Sequence, residues 1–355
     1  MMSSISAYVQ ADLPPLGTLI DTFWGPKLAG QQPYNGQTPD SVNLSAYLEY
    51  YSLQWHAIAT YSGGRYVTVR KYSDIVDIVK LLRQGEPKES ILQNLEAGQA
   101  TNTATPEAYE NSVNLAARLL TMLQIGIVKY QAVSRHCLLW EGGSLADFIK
   151  TRFDQPQVLS YQHMKLPKGF NAWSMNVIGG LRIQFTENLD DHLLLIDDDT
   201  KVLIFHHASF LECQYESLLP DGLAEETLRT LALIFPQSVF KGSSRWGRER
   251  QWFNRLAADF GHSRVDPRLI MCGNLSTENR QLEHFKYWRD RLVILKQAYD
   301  DATPRTLFQW WHDRRNGERW YTFWVAVLVL FLTTTLGFVQ CAESALQVYK
   351  AYYPS

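Results

Sequence analysis

Tyr321–Gln340 reads YTFWVAVLVLFLTTTLGFVQ, and no residue between Arg319 and Glu343 carries a charge. As a helix rising about 1.5 Å per residue, such a run spans about 30 Å, the thickness of a bilayer's hydrocarbon layer. Its eleven Val, Leu and Phe residues each favour insertion by roughly 0.3–0.6 kcal/mol, about 5 kcal/mol together. Four threonines, one glycine and one glutamine offset this only in part. The stretch therefore predicts a single transmembrane helix over 321–340.

The flanks orient it. Arg305, Arg314, Arg315 and Arg319 precede the span and Lys350 alone follows it. Positive charge is retained on the cytosolic side, so the N-terminal bulk is expected in the cytosol and residues 341–355 form a short non-cytosolic tail. A span placed so near the C-terminus is expected to act as a tail anchor, with an endomembrane as the favoured location. Trp310, Trp311, Trp320, Tyr321 and Trp324 on one side and Tyr349, Tyr352 and Tyr353 on the other match aromatic belts at the two interfaces. Along the span, Ala326, Thr333, Gly337, Gln340, Ser344, Gln347 and Ala351 recur on one stripe, a candidate seam for self-association of helices in lipid.

The chain of 355 residues has an ordinary globular composition, 46% hydrophobic and 20% charged, with a formal net charge of -2. No global positive field exists to hold nucleic acid, so none is expected as a partner. The expected partners are membrane lipid and a protein, either another chain or a second copy of this one. Cys137, Cys213, Cys272 and Cys341 form no C-x-x-C pair, which argues against a zinc ribbon or disulfide framework and suits buried thiols in a reducing compartment. The N-terminus lacks the basic and apolar regions of a secretory signal.

The predicted fold class is α+β and mainly helical. Residues 1–43, with Pro14, Pro15, Pro33 and Pro39, read as an irregular arm. Residues 44–142 read as a helical subdomain: a helix over Leu44–Ala59, a short strand over Arg65–Lys71, then helices over Ser73–Leu82, Pro87–Leu95 and Pro106–Leu123 stopped by Gly126. With IVKY and CLLW as strands after them, this is the order of a winged helix. The third helix offers Glu107, Glu110 and only Arg118, however, too little positive charge for a DNA groove. It reads as a packing unit cored by Leu115, Leu119, Leu120, Met122 and Leu123.

Residues 143–274 read as an α+β subdomain. Ser144 with Asp147 three residues on marks a helix start in GSLADFIKTRF. LLLI and VLIF, joined by Asp197, Asp198, Asp199, Thr200 and Lys201, predict an antiparallel hairpin over 193–205. Helices follow over Ala208–Glu216, Leu223–Phe235 and Arg245–Phe260. Glu278–Ala302, within 275–303, reads as one long amphipathic helix, and residues 304–320 as a basic, aromatic juxtamembrane segment.

For chemistry, the strongest cluster is Asp190, Asp191 and His192 with His206 and His207. The hairpin could bring His192 to the pair, but no H-E-x-x-H spacing is present, and strand alternation would send His206 and His207 to opposite faces. The reading favoured is structural: histidines satisfied by hairpin and helix-cap hydrogen bonds, with no metal and with His192, His206, His207 and Asp191 as weak candidates. The acidic turn lacks an EF-hand pattern. No G-x-S-x-G, P-loop or G-x-G-x-x-G is present, so no cofactor and no catalytic residue are assigned, and a non-enzymatic role is favoured. Lys241, Arg245, Arg248, Arg250 and Arg255, interleaved with Trp246 and Trp252, form a candidate patch for anionic lipid, with a solvated face as the plainer reading.

WWHDRRNGERWYTFWVAVLVLFLTTTLGFVQCAESALQVYKAYY, with NLDDHLLLIDDDTKVLIFHHASFLECQ and DGLAEETLRTLALIFPQS, resembles an uncharacterised family of filamentous-fungal membrane proteins. The resemblance implies a C-terminally anchored architecture and no activity. The order of a long helix leading into a transmembrane helix is also similar to CorA-like metal-ion transporters, although the G-M-N signature and a second span are absent from this sequence. Three readings follow: a cytosolic interaction or scaffolding domain held at a membrane, an oligomeric channel subunit with Thr333, Gly337, Gln340 and Glu343 near a pore, and a metal-dependent membrane enzyme using His192 and His206.

Overall fold

Helical periodicity sets most of the architecture in the computed structural model of the chain. The structure describes residues 16–26, 43–60, 66–98, 104–126, 137–156, 158–159, 164–241, 247–261, 263–302 and 317–352. Among them the elements are α1 (Leu16–Trp24), α2 (Ser45–Thr60), α3 (Tyr72–Arg83), α4 (Lys88–Ala97), α5 (Pro106–Thr121), α6 (Leu145–Phe153), α7 (Ala172–Val177), β1 (Arg182–Thr186), β2 (Leu195–Ile196), β3 (Lys201–Phe205), α8 (Ala208–Glu212), α9 (Leu223–Ile234), α10 (Gln237–Phe240), α11 (Arg248–Asp259), α12 (Arg289–Asp301) and α13 (Gly317–Tyr352). The protein is thus mainly helical, with one small sheet and one C-terminal apolar helix.

α5 is buried on nearly every side from Ser112 to Thr121, and its Ser112 and Thr121 hydroxyls are satisfied there by donating to the carbonyls of Ala108 and Ala117 one turn back. It ends at Met122, which adopts the left-handed conformation at φ 53° and donates its N–H to Arg118, rather than running on to Gly126. Leu115, Leu119, Leu120, Met122 and Leu123 are all buried. Around α5, buried side chains from Leu19 to Tyr299 make one contiguous cluster, to which residues 44–142, 143–274 and 275–303 all contribute.

Four expectations need correction. The N-terminal arm contains α1, which docks into the core. Trp24 Nε1 donates to the carbonyl of Leu120 (2.9 Å), its ring meets Tyr47 and Phe210 edge-on, and Gly25 turns the chain at φ +85° where an added Cβ would lie 2.7 Å from that of Glu216. Residues 1–15 and 27–42 of that arm lie outside the described residues. Next, the segment from Tyr66 to Lys71 is no strand. Val67 and Val69 do alternate inward, but Thr68 bonds by its backbone N–H and its hydroxyl to Ser112 Oγ of α5 (2.8 and 2.9 Å), so a helix takes the place of a partner strand. CLLW contributes only a parallel bridge between Leu138 and Ile125, and IVKY is outside the described residues.

The hairpin is the third correction, because it is part of a mixed sheet ordered β1-β3-β2. β2 and β3 pair antiparallel as expected, through a turn in which Asp197, Asp198 and Asp199 all take positive φ and Asp197 pairs with Lys201. β3 also pairs parallel with β1, in the register Ile183↔Val202 to Thr186↔Phe205. Finally, the long helix over Glu278–Ala302 is broken. Its first part forms two 3-10 turns, Glu278–Arg280 and Leu282–His284, held because Leu166 and Leu282 donate to the carbonyls of Arg280 and Met164; only α12 is a true helix.

Candidate functional site

The parallel pairing of β1 with β3 determines where the polar groups converge. Thr186 and Phe205 end the two strands side by side, so the residues that follow them, Glu187 and His206, leave the same edge of the sheet. Crevices outside the carboxyl ends of parallel strands are where open sheets commonly place ligands. His207 then occupies the position before α8, and the Ala208 N–H folds back onto the His206 carbonyl (2.9 Å). Because β3 stops at Phe205, strand alternation no longer governs the pair. The two imidazoles lie face to face, centroids 4.0 Å apart at 30°, which overturns their expected separation to opposite faces.

Both rings are sealed in, with relative exposures of 0% for His206 and 1% for His207. Phe185 and Phe260 stand edge-on to His206, and Phe205 and Tyr50 flank His207. Burial holds the His206 imidazolium down at about 3, and burial with the neighbouring His206 holds His207 well below the ordinary histidine range, so both are neutral bases at neutral pH. The Asp266 N–H donates to His206 Nδ1 at 3.3 Å, which leaves the ring proton on Nε2. Among the described residues, His206 Nε2 and both nitrogens of His207 have no hydrogen-bond partner. Half-buried Glu187 accepts from Ser263 Oγ at 2.6 Å, and one donor atom each from Glu187, His206 and His207 lies within 4.8 Å of the others.

Further polar groups surround this trio. Tyr50 has its phenol pushed up by burial, with opposing influences from Arg118, which lowers it, and Glu187, which raises it. Burial lowers the Arg118 guanidinium, which is 1% exposed. Asp266 accepts from the N–H and hydroxyl of Ser209 (2.6 and 3.0 Å) and from the Arg268 N–H (2.9 Å), yet burial still raises it to about 6. Two neutral imidazoles and a carboxylate are a donor set suited to zinc or another divalent transition metal.

His192 and Asp191 lie outside this trio. His192 Nδ1 accepts the Phe205 N–H (3.2 Å), so Nε2 carries the proton and donates to Thr230 Oγ1 (2.7 Å), which in turn donates to the Thr227 carbonyl (2.6 Å). That imidazole ties β3 to α9 and packs edge-on against Trp288. Asp191 is buried in the 3-10 turn Leu189–Asp191, where its neighbour Asp190 pairs with Arg152 at 3.0 Å. Glu187 was missed from the sequence because its relation to His206 exists only once β1 and β3 are known to run parallel.

In the basic segment, Lys241, Arg248, Arg250 and Arg255 are exposed, while Arg245 and Trp246 lie outside the described residues. At about 100° per residue, Arg248 and Arg255 share one margin of α11 and Arg250 sits near the opposite margin, so these three do not form one stripe. Trp252 is engaged in packing, donating to Asn176 Oδ1 (2.8 Å) and lying beside Phe240.

On α13, Thr333, Gln340, Ser344 and Gln347 are exposed, and a side chain added at Gly337 would meet nothing within 4 Å. Thr333 already donates within the helix, to Val329 and Leu330, as Thr334 and Thr335 do to Leu330 and Phe331. Arg319 lies in the first turn of α13, Trp320 packs against Tyr321 and Trp324, and Tyr349 is exposed near the other end; Trp310, Trp311, Arg314 and Arg315 lie outside the described residues. Cys213 and Cys272 are buried, but Cys341 is exposed on α13. Comparison of the chain with protein-family models, with curated proteins and with solved structures gives no match in any of the three, so the fungal-family and CorA-like resemblances rest on the quoted residues alone.

Proposed function

We propose that the protein is a single-pass membrane protein whose folded domain stands on the cytosolic side and serves as a docking or scaffolding module at the membrane surface. The observation that carries this reading is the stretch Trp320–Tyr349, a helix long and apolar enough to cross a membrane, with no residue of its most apolar part buried among the described residues. Leaving eleven Val, Leu and Phe side chains in water would forgo roughly 1.5–3 kcal/mol for each one buried, and a bilayer supplies that burial. The hydroxyls of Thr333, Thr334 and Thr335 support the same reading, since each donates to a carbonyl of its own helix and so brings no unsatisfied donor into hydrocarbon.

The excess of arginine before the helix favours the cytosolic placement of the domain. The partners proposed are lipid around α13 and a protein on the domain, with self-association through the Thr333 to Gln347 stripe as one form of it. Alkaline carbonate washing of membranes from cells making the full chain tests the anchor. The chain is expected to stay in the pellet, and a variant with Leu328, Leu330 and Leu332 changed to Glu is expected in the supernatant; release of the wild type would refute the reading.

A further inference from the structure

We propose that Glu187, His206 and His207 bind one divalent transition-metal ion of the zinc type at the carboxyl edge of the β1–β3 pair. Two buried imidazoles with three nitrogens that find no partner among the described residues are the first reason. A buried polar group left unmet is costly, and native interiors rarely tolerate several together without a purpose. His207 is the plainest case, with both ring nitrogens unmet and 1% of its surface exposed.

The donor chemistry is the second reason. Metal ligation requires a neutral imidazole, and the apolar walls of Phe185, Phe205 and Phe260 keep both rings in that form. Glu187 brings the negative charge that two neutral ligands lack, and two histidines with one glutamate are a known zinc-binding combination. Three protein donors leave a fourth coordination position available.

Geometry is the third reason. Tetrahedral zinc with bonds of about 2.1 Å sets its donors about 3.4 Å apart. The three donor atoms lie within 4.8 Å of one another, so side-chain rotations of about 1 Å close the set. His206 gives up something in doing so. Coordination through Nε2 moves the ring proton to Nδ1 and sacrifices the Asp266 N–H contact, which at 3.3 Å is already beyond the usual length. His207 surrenders no such bond and is therefore the anchoring ligand, with Glu187 and His206 completing the set.

The test uses the full chain in detergent, purified without a histidine tag and stripped with a chelator, with circular dichroism confirming that it remains folded. Titration with zinc is expected to saturate at about one ion per chain, and cobalt is expected to give the visible bands of a tetrahedral site. Glu187→Gln, at a half-buried position, and His207→Gln are each expected to weaken zinc binding about 100-fold, comparable to or beyond the 10–100-fold lost with outer-shell partners. Saturating zinc is also expected to raise the unfolding midpoint of the wild type and not that of Glu187→Gln. A folded wild type that takes up neither ion, or two variants that bind zinc as tightly as the wild type, would overturn the proposal.

Discussion

Glu226 on α9 caps the approach to Trp288: its Oε1 accepts the backbone N–H groups of Tyr287 and Trp288, each at 2.8 Å, while Oε2 accepts that of Lys286 at 2.7 Å. These three amides lie just before α12, and one buried carboxylate from a distant helix satisfies them all. Burial raises the Glu226 carboxyl, and the three N–H donors offset that rise only in part. Replacing Glu226 with Ala strands three donors in a site where the glutamate is only 5% exposed, and is expected to cost about 3 kcal/mol or more. Denaturant unfolding of the full chain checks this, and a loss under about 1 kcal/mol would speak against the cap.

Trp24 is expected to be equally demanding. Its indole is 1% exposed, bonded to the Leu120 carbonyl and set edge-on to Tyr47 and Phe210. Trp24→Ala should destabilise the fold by about 3–5 kcal/mol, the range for truncating a large buried aromatic. Were α1 only loosely attached, the unfolding midpoint would hardly move.

His192 makes a prediction about pH. Burial, then the Arg291 charge, lowers its pKa well below the ordinary 6.5, so the folded state keeps it neutral while the unfolded chain protonates it. The stability gained from keeping His192 neutral is whole above about pH 6.5 and drains away as pH falls toward the lowered folded value. Asp266, raised to about 6, works in the opposite sense over part of that range. Comparing wild type with His192→Gln cancels that contribution: the wild-type advantage in denaturation midpoint should shrink steadily from pH 7 to pH 5. An advantage that stays constant would contradict the assignment.

Ser144 gives a smaller effect. Its hydroxyl oxygen accepts the Asp147 N–H at 3.1 Å and its O–H donates to the Asp147 carboxylate at 2.7 Å, at the start of α6. Ser144→Ala should cost about 1 kcal/mol, read as a lower denaturation midpoint. No change would mean that the cap is already replaced by water.

These elements differ in how far sequence alone reveals them. The Ser144 cap is local, three residues from its partner, and was legible, as were the apolar periodicities of α3, α5 and α9 and the long apolar run of α13. The β2–β3 turn was legible for the same reason. Relationships across the chain were not. Glu226 meets Trp288 from 62 residues away, and nothing near Glu278 announces that the helical pattern there is interrupted by bonds to Met164 and Leu166. The candidate site depends most on such a relationship. His206 and His207 stood out as a pair, but alternation misplaced them because β3 ends one residue before them, and Glu187 joins them only through the parallel register of β1 with β3. His192 drew attention by its nearness in sequence, and its two ring nitrogens turn out to be engaged in holding β3 to α9.

Protease treatment of sealed membrane vesicles carrying the full chain, with epitopes at the two ends, tests the central claim most directly. With the cytosolic face outward, the protease should digest the domain and its N-terminal epitope while α13 and the C-terminal epitope survive until detergent is added. A protected N-terminal domain, or loss of both epitopes without detergent, would contradict the account.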